Sequence, residues 1–313
     1  GSRLKAVDPE GLIAAAIPFF RAYGLPVGWA PTLDGLYRLA RRNLPLAAAD
    51  GIEWGSRRLD LAILGLFVSP ATVGIYYVAQ QVASLPQKLK TSFDPILGPV
   101  ITRKLETGDR AAVARQVSQV GFWIIAAQTG IALALGIPGE GLMGLFGPKG
   151  VFVGGNGALA FLLLAEVAAA VAVVSEAALV YIARHRNFLI SGAMVAFQTA
   201  LTFLFLIAAR QQNFPELYQA ALPAVALAIS LGLASLVKAN LAARLLGAPV
   251  SVWRWPLVWA SVAAATTGSI AIRLPEWAEL TFGIPAILLA YGVVIWRWGF
   301  AEEDRALFRK TSA

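Results

Sequence analysis

The sequence predicts an all-α integral membrane protein, a helical bundle of about eight transmembrane helices. Three observations predict it. Of 313 residues, 58% are apolar and only 14% are charged, with a mean hydropathy of +0.67; an average soluble domain carries roughly 25% charge. Apolar runs of about 20 residues recur along the chain, the length that crosses a bilayer core as a helix. The runs are continuous, so they lack the alternation of a transmembrane β-barrel. A soluble globular domain and a disordered chain are excluded by the same figures.

Taken in order, the first apolar run is Gly11–Phe20, interrupted by Pro18 and followed by Arg21. It is too short to cross a bilayer. It reads as the remnant of a preceding helix, and residues 1–37 as an N-terminal stub and cytoplasmic linker. Leu44–Val68 and Ala71–Leu97 are predicted spans that carry charges. Val117–Ile137, Gly157–Ala183, Phe188–Ala209, Gln219–Leu246 and Trp255–Ile272 are apolar almost throughout. The last, Leu280–Trp296, is shorter and bordered by Tyr291, Trp296 and Trp298, residue types that favour the headgroup level. Between the third and fourth spans, Gly139, Gly141, Gly144, Gly147, Gly150, Gly154 and Gly155 predict a flexible external connection. They lack the strand–loop–helix context and the Lys-Ser/Thr of a phosphate cradle.

The net charge is +8. Assigning the connections to alternate sides puts Arg38, Arg41, Arg42, Arg103, Lys104, Arg110, Arg115, Arg184, Arg186, Lys238, Arg244, Arg254, Arg297, Arg305, Arg309 and Lys310 on one side. Only Lys149, Arg210 and Arg273 fall on the other. Cytoplasmic loops carry the Lys/Arg excess. The basic side, with the C-terminus, is therefore expected in the cytoplasm, and the charge is a topology signal rather than a nucleic-acid footprint. There is no cysteine and one histidine, His185, in the turn Arg184-His185-Arg186. Disulfides, a thiolate nucleophile and His/Cys metal sites are excluded, and a Ser-His-Asp triad is not expected. No catalytic residue, metal site or cofactor is predicted.

Ionisable groups inside a span are costly and usually face a bundle interior or an aqueous cavity. In the first span Asp50, Glu53, Arg57 and Asp60 are spaced 3, 4 and 3, a face about 80° wide, with Arg58 to one side. In the second, Gln80, Ser84, Gln87, Thr91 and Asp94 form a narrower stripe, and Gln81 and Lys88 form a second line seven apart. Pro86 removes a backbone donor and is expected to kink that helix. Two readings follow: the lines together line a water-filled cavity, or they pair with each other and hold helices together. Glu166 and Glu176 in the fourth span fit an ion relay or a structural carboxylate equally. Gln128 and Gln198 read as interhelical hydrogen bonds.

Several passages carry a family resemblance. Leu39–Asp60 runs into Ile63-Leu64-Gly65-Leu66-Phe67; Val73-Gly74-Ile75-Tyr76-Tyr77 precedes the polar second helix and Pro95; Leu145-Phe146-Gly147-Pro148 precedes the fourth span; Glu302-Glu303-Asp304-Arg305 follows the final helix. In that order the chain resembles the polysaccharide-transport flippases of the O-antigen and exopolysaccharide type, in the multidrug/oligosaccharidyl-lipid/polysaccharide exporter superfamily. The resemblance implies that residues 38–250 form the second six-helix bundle of a two-bundle carrier. Residues 251–313 would add two further transmembrane helices and a short cytoplasmic tail. A first, N-terminal bundle of the same protein would be the missing partner. The implied activity is not enzymatic: alternating-access movement of an undecaprenyl-diphosphate-linked glycan across the bacterial inner membrane, amid membrane lipids. By the same resemblance Arg57, Arg58 and Lys88 would attract phosphate, and Gln80, Gln81, Ser84 and Gln87, with Asp94, would contact the substrate. Asp50, Glu53, Asp60, Glu166 and Glu176 would line the cavity or couple ions. The competing readings are a small-molecule exporter of that superfamily and a membrane-embedded enzyme of glycan assembly. Against the enzyme, the longest external connection, Pro138–Asn156, carries one Lys and one Glu.

Overall fold

The computed structural model describes residues 33–86, 88, 101–106, 108–147, 150–300 and 304. Two compact units divide the chain, Gly1–Asp50 and Gly51–Ala313. In the first, the described residues are the opening turns of a helix, Leu33–Leu64 (α1), with an i,i+4 ion pair between Arg38 and Asp34.

The second unit is helical, and no strand occurs among the described residues. After the last turns of α1 come Pro70–Ala83 (α2), Arg110–Gly136 (α3), the short Gly139–Gly144 (α4), Asn156–Ile182 (α5), Arg184–Gln211 (α6), Glu216–Leu246 (α7), Pro256–Ala271 (α8) and Glu276–Gly299 (α9). Five are long and apolar enough to cross a bilayer: α3, α5 with its 3-10 lead-in from Val153, α6, α7 and α9. The fold is thus all-α, with several helices suited to a multi-pass membrane protein.

The predicted span Trp255–Ile272 yields only the 16 residues of α8, a helix about 24 Å long against a hydrocarbon core of about 30 Å. Pro256 sets its start and Pro275 opens the next helix. The run expected to be the shortest sits inside the 24-residue α9, which includes two π-helical stretches, Glu279–Gly283 and Ile295–Gly299. α2 stops at Ala83, where Ser84 Oγ donates to the Gln81 carbonyl at 2.6 Å. Residues 85, 86 and 88 resume helical geometry. Pro86 cannot donate to the carbonyl four residues earlier, which explains a break here.

α5 is the hub. It packs most extensively on α7 and also touches α2, α3 and α6, while α8 and α9 pair with each other against α3. Buried alanines along α5, including Ala158, Ala165, Ala169, Ala172 and Ala178, let the neighbouring backbones approach closely. From α7, Ser235 Oγ donates to the Ala168 carbonyl and accepts from the Ala172 N–H at 3.0 Å, so a hydroxyl enters the α5 hydrogen-bond ladder.

Three apolar clusters locate the ends. Leu64, Tyr76, Met143, Leu159, Leu206 and Leu227 pack at one end. Ile101, Val113, Val117, Ala178 and Leu246 pack at the other, and Phe122, Leu257, Ile287 and Tyr291 join α3 to α8 and α9. Arg110, opening α3, reaches the Leu245 carbonyl near the close of α7 at 3.5 Å. The antiparallel order therefore gathers Arg110, Arg184, Arg186 and Arg244 at one end and leaves Arg210 and Glu216 at the other.

The glycine-rich connection is not a loose tether. It holds α4 and a 3-10 turn, Val153–Gly155, with Met143 fully buried. A side chain at Gly155 would come within 2.7 Å of both Ile75 Cγ2 and Met143 Cε. Gly139, Gly147, Gly154 and Gly155 serve close packing, while Gly150 takes a left-handed φ of +89°. Lys149 lies outside the described residues.

Large apolar side chains are exposed on the outer faces, among them Leu189 and Leu204 on α6, Trp259 and Ile270 on α8, and Leu289 and Trp296 on α9. Apolar surface on this scale fits a bilayer better than water. Trp253, Trp255 and Trp298 ring the basic end and Trp277 marks the opposite end, the placement of headgroup-level aromatics.

Candidate functional site

The polar line of α1 ends in a buried node. Asp60 is 1% exposed. Its Oδ1 accepts from Gln198 Nε2 of α6 at 2.8 Å, and its Oδ2 accepts from the Tyr76 hydroxyl of α2 at 3.4 Å. Thr202, one turn along α6, donates to the Gln198 carbonyl at 2.9 Å. One carboxylate thus joins three helices, and Gln198 makes the interhelical bond its position suggested. The side chains of Asp50, Glu53 and Arg57 lie outside the described ones, as do residues Gln87 and Asp94.

The rest of the polar set divides by face. Arg58, Gln81 and Lys88 are exposed, while Gln80 and Ser84 are half-buried. Tyr77 is exposed too, four residues before Gln81, and Lys88 is seven residues after it. Tyr77 and Gln81 fall on one face of α2, and Lys88 lies beyond the break at Ser84. Together they offer an aromatic ring with a hydroxyl, an amide and an ammonium group. Gln81 lies about 16 Å along the axis from Pro70, well away from the helix start. Sequence reasoning omitted Tyr77; its i,i+4 spacing to Gln81 is the signal that finds it. Its neighbour Tyr76 is fully buried.

α2 is anchored at its start. Glu216 Oε2, at the beginning of α7, accepts from the Ser69 N–H at 3.2 Å, the Ser69 hydroxyl at 2.6 Å and the Thr72 hydroxyl at 2.8 Å. A carboxylate at a helix N-terminus satisfies unpaired N–H groups and complements the helix dipole.

A second buried node lies between α5, α6 and α7. Lys238 Nζ is 2.9 Å from Glu176 Oε2 and donates to Ser191 Oγ at 3.0 Å. Asn187 Nδ2 donates to Glu176 Oε1 at 2.8 Å. Lys238 is therefore not a loop cation, as the charge count had it, but a buried group inside α7. The missed signal is a cation two turns inside the end of an apolar run, opposite a run with two acids. Glu166, on the same helix as Glu176, is also buried. His185 is exposed, as its basic neighbours implied, but it lies in the first turn of α6 rather than in a connecting turn.

The C-terminal segment contributes a third node. Asp304 is fully buried; it accepts from Gln119 Nε2 at 2.6 Å and Trp123 Nε1 at 3.2 Å, and it pairs with Arg254 at 2.7 Å. Arg254 also donates to the Gly299 carbonyl at 2.8 Å and lies over the Phe122 ring, 4.0 Å from its centre.

The described acids Asp60, Glu166 and Asp304 are buried, and Glu176 is held by Lys238. Tyr77 and Gln81 on α2, Lys88 beyond it and Arg58 on α1 are exposed. Such groups can stack on a sugar ring, bond hydroxyls and attract phosphate. No set of three metal-capable acid or histidine side chains comes together among the described residues. The chain matches no protein-family model, no curated protein and no solved structure.

Proposed function

We propose that this chain is the carrier portion of a flippase that moves a lipid-linked glycan across the bacterial inner membrane. The reading rests on one observation: α2 exposes Tyr77 and Gln81, with Lys88 exposed just beyond it, in a protein whose other exposed helix faces are mainly apolar. Exposing a charge to hydrocarbon costs about 2.5–3.5 kcal/mol on insertion scales, so this face belongs against a polar cavity. In the resembled family that cavity lies between two bundles, with the substrate's diphosphate and sugars inside it.

In this reading α1, α2 with its continuation, α3, α5, α6, α7, α8 and α9 supply the eight spans. The basic end lies in the cytoplasm by the Lys/Arg rule. A small-molecule cation exporter is disfavoured, because the exposed polar groups on and beside α2, Tyr77, Gln81, Lys88 and Arg58, are cationic or neutral.

The test is complementation of a bacterial strain lacking its O-antigen flippase, with the chain expressed from its complete open reading frame. K88Q, R58Q and Q81L should each lower surface glycan about tenfold or more, the loss of one charge-assisted or amide contact. Membrane abundance should stay unchanged, since all three positions are exposed. Export that falls only in step with abundance would make these groups structural and overturn the reading.

A further inference from the structure

We propose that the groove between the start of α6 and the end of α7 holds the phosphate headgroup of an anionic phospholipid from the surrounding bilayer. The groove has a volume of about 570 Å³ and is lined by Arg186, Leu189 and Ile190 from α6 and by Val237, Asn240, Leu241 and Arg244 from α7. Both arginines are exposed, and neither has a hydrogen-bond or ion-pair partner among the described residues. No carboxylate lines the groove.

The order of residues along each helix matches a lipid. Arg186 stands in the first turn of α6, and Leu189 follows three residues later, deeper in the bundle. Arg244 stands in the last turn of α7, with Leu241 and Val237 three and seven residues before it. Each helix therefore presents a cation at the bundle end and an apolar wall running away from it. Guanidinium forks suit bidentate contact with a phosphodiester, and the Asn240 amide is placed for a glycerol oxygen. The first-turn N–H groups of α6 add positive potential. Basic pockets between transmembrane helices are suited to lipid headgroups. A free anion would leave the apolar walls unused. The groove also opens on the same outer helices as the exposed Leu204 and Leu236, a surface for acyl chains rather than for a soluble partner. This site is separate from the α2 face, on different helices.

The experiment is native mass spectrometry of the purified protein, released from nanodiscs of equal parts phosphatidylglycerol and phosphatidylcholine. The unaltered chain should retain phosphatidylglycerol preferentially. R186Q and R244Q should each weaken that retention about fivefold, and the double variant about 25-fold, from the attraction of a surface arginine for anionic lipid. R210Q, at the opposite end, should change nothing. The single variants carry the test where the double variant fails to assemble. Equal retention of the two lipids, or retention unchanged in the arginine variants, would overturn the proposal. So would displacement of the lipid by inorganic phosphate alone, which would make the groove a free-anion site.

Discussion

The Lys238 ammonium lies 2.9 Å from Glu176 Oε2, with the lysine side chain 6% exposed and the glutamate 31%. The pair joins α7 to α5, the two helices that pack most extensively in the bundle. Removing one partner of a buried pair costs roughly 3–5 kcal/mol, because a charge is left uncompensated. Partial exposure of Glu176 puts this pair in the lower half of that range. K238M should therefore lower the melting temperature of the detergent-purified protein clearly, and K238M/E176Q should recover most of the loss. A K238M protein that melts with the parent would show the pair to be energetically idle.

The value of that pair was hidden from the sequence for a physical reason. Hydropathy and spacing report local periodicity, so the apolar lengths of α3, α5, α6 and α7 were legible. Partners 62 positions apart are not local, and a lysine near the end of an apolar run looks like a topology signal until its carboxylate is located. Asp304 repeats the lesson: it reads as tail, yet it closes on Gln119, 185 positions away. Tyr76 and Tyr77 show the finer limit. The two are adjacent in sequence, and helical geometry sends one to the core and the other to the open face. Glycine content suggested looseness in 138–156, whereas close packing is what Gly139, Gly147, Gly154 and Gly155 permit there.

Gln198 tests the node at Asp60. Its amide donates to a carboxylate 1% exposed. Q198L should cost about 1–3 kcal/mol by leaving a buried acceptor short of a donor. Q198E should cost more, since it places a second carboxyl against the first. Y76F should be the mildest, because its hydrogen bond is long at 3.4 Å. Thermal melts of the three purified variants should fall in that order, and an inverted order would remove Asp60 from the role of helix tie.

Gly130 tests the contact of α3 with α9. A methyl group there would sit 2.9 Å from Cδ1 of Tyr291, a ring 4% exposed and fixed between the helices. G130A should destabilise by about 1–3 kcal/mol through overpacking. Gly192, on α6, has open space around the same position. G192A should be neutral or stabilise by up to about 1 kcal/mol, the usual gain from replacing a helical glycine. Equal melting of the two variants would show that α9 yields to the added methyl.

Orientation is the last expectation, and the protein is well suited to its test because it contains no native cysteine. The helix order puts Ala111 and His185 at the end that gathers the basic residues, and Gln212 and Trp277 at the opposite end. All four are exposed, so reactivity reports the side of the membrane rather than burial. Losing Lys238 from the count, now that it pairs with Glu176 inside the bundle, leaves the bias large: fifteen Lys and Arg on that side against Lys149, Arg210 and Arg273. The rule weighs Lys and Arg near the helix ends and gives acids little weight, so Glu216 and Glu276 at the sparse end do not alter the sign. In intact cells a membrane-impermeant maleimide should label Q212C and W277C. It should reach A111C and H185C only after lysis. The reverse pattern would invert the assignment and place the arginine groove of α6 and α7 in the outer leaflet.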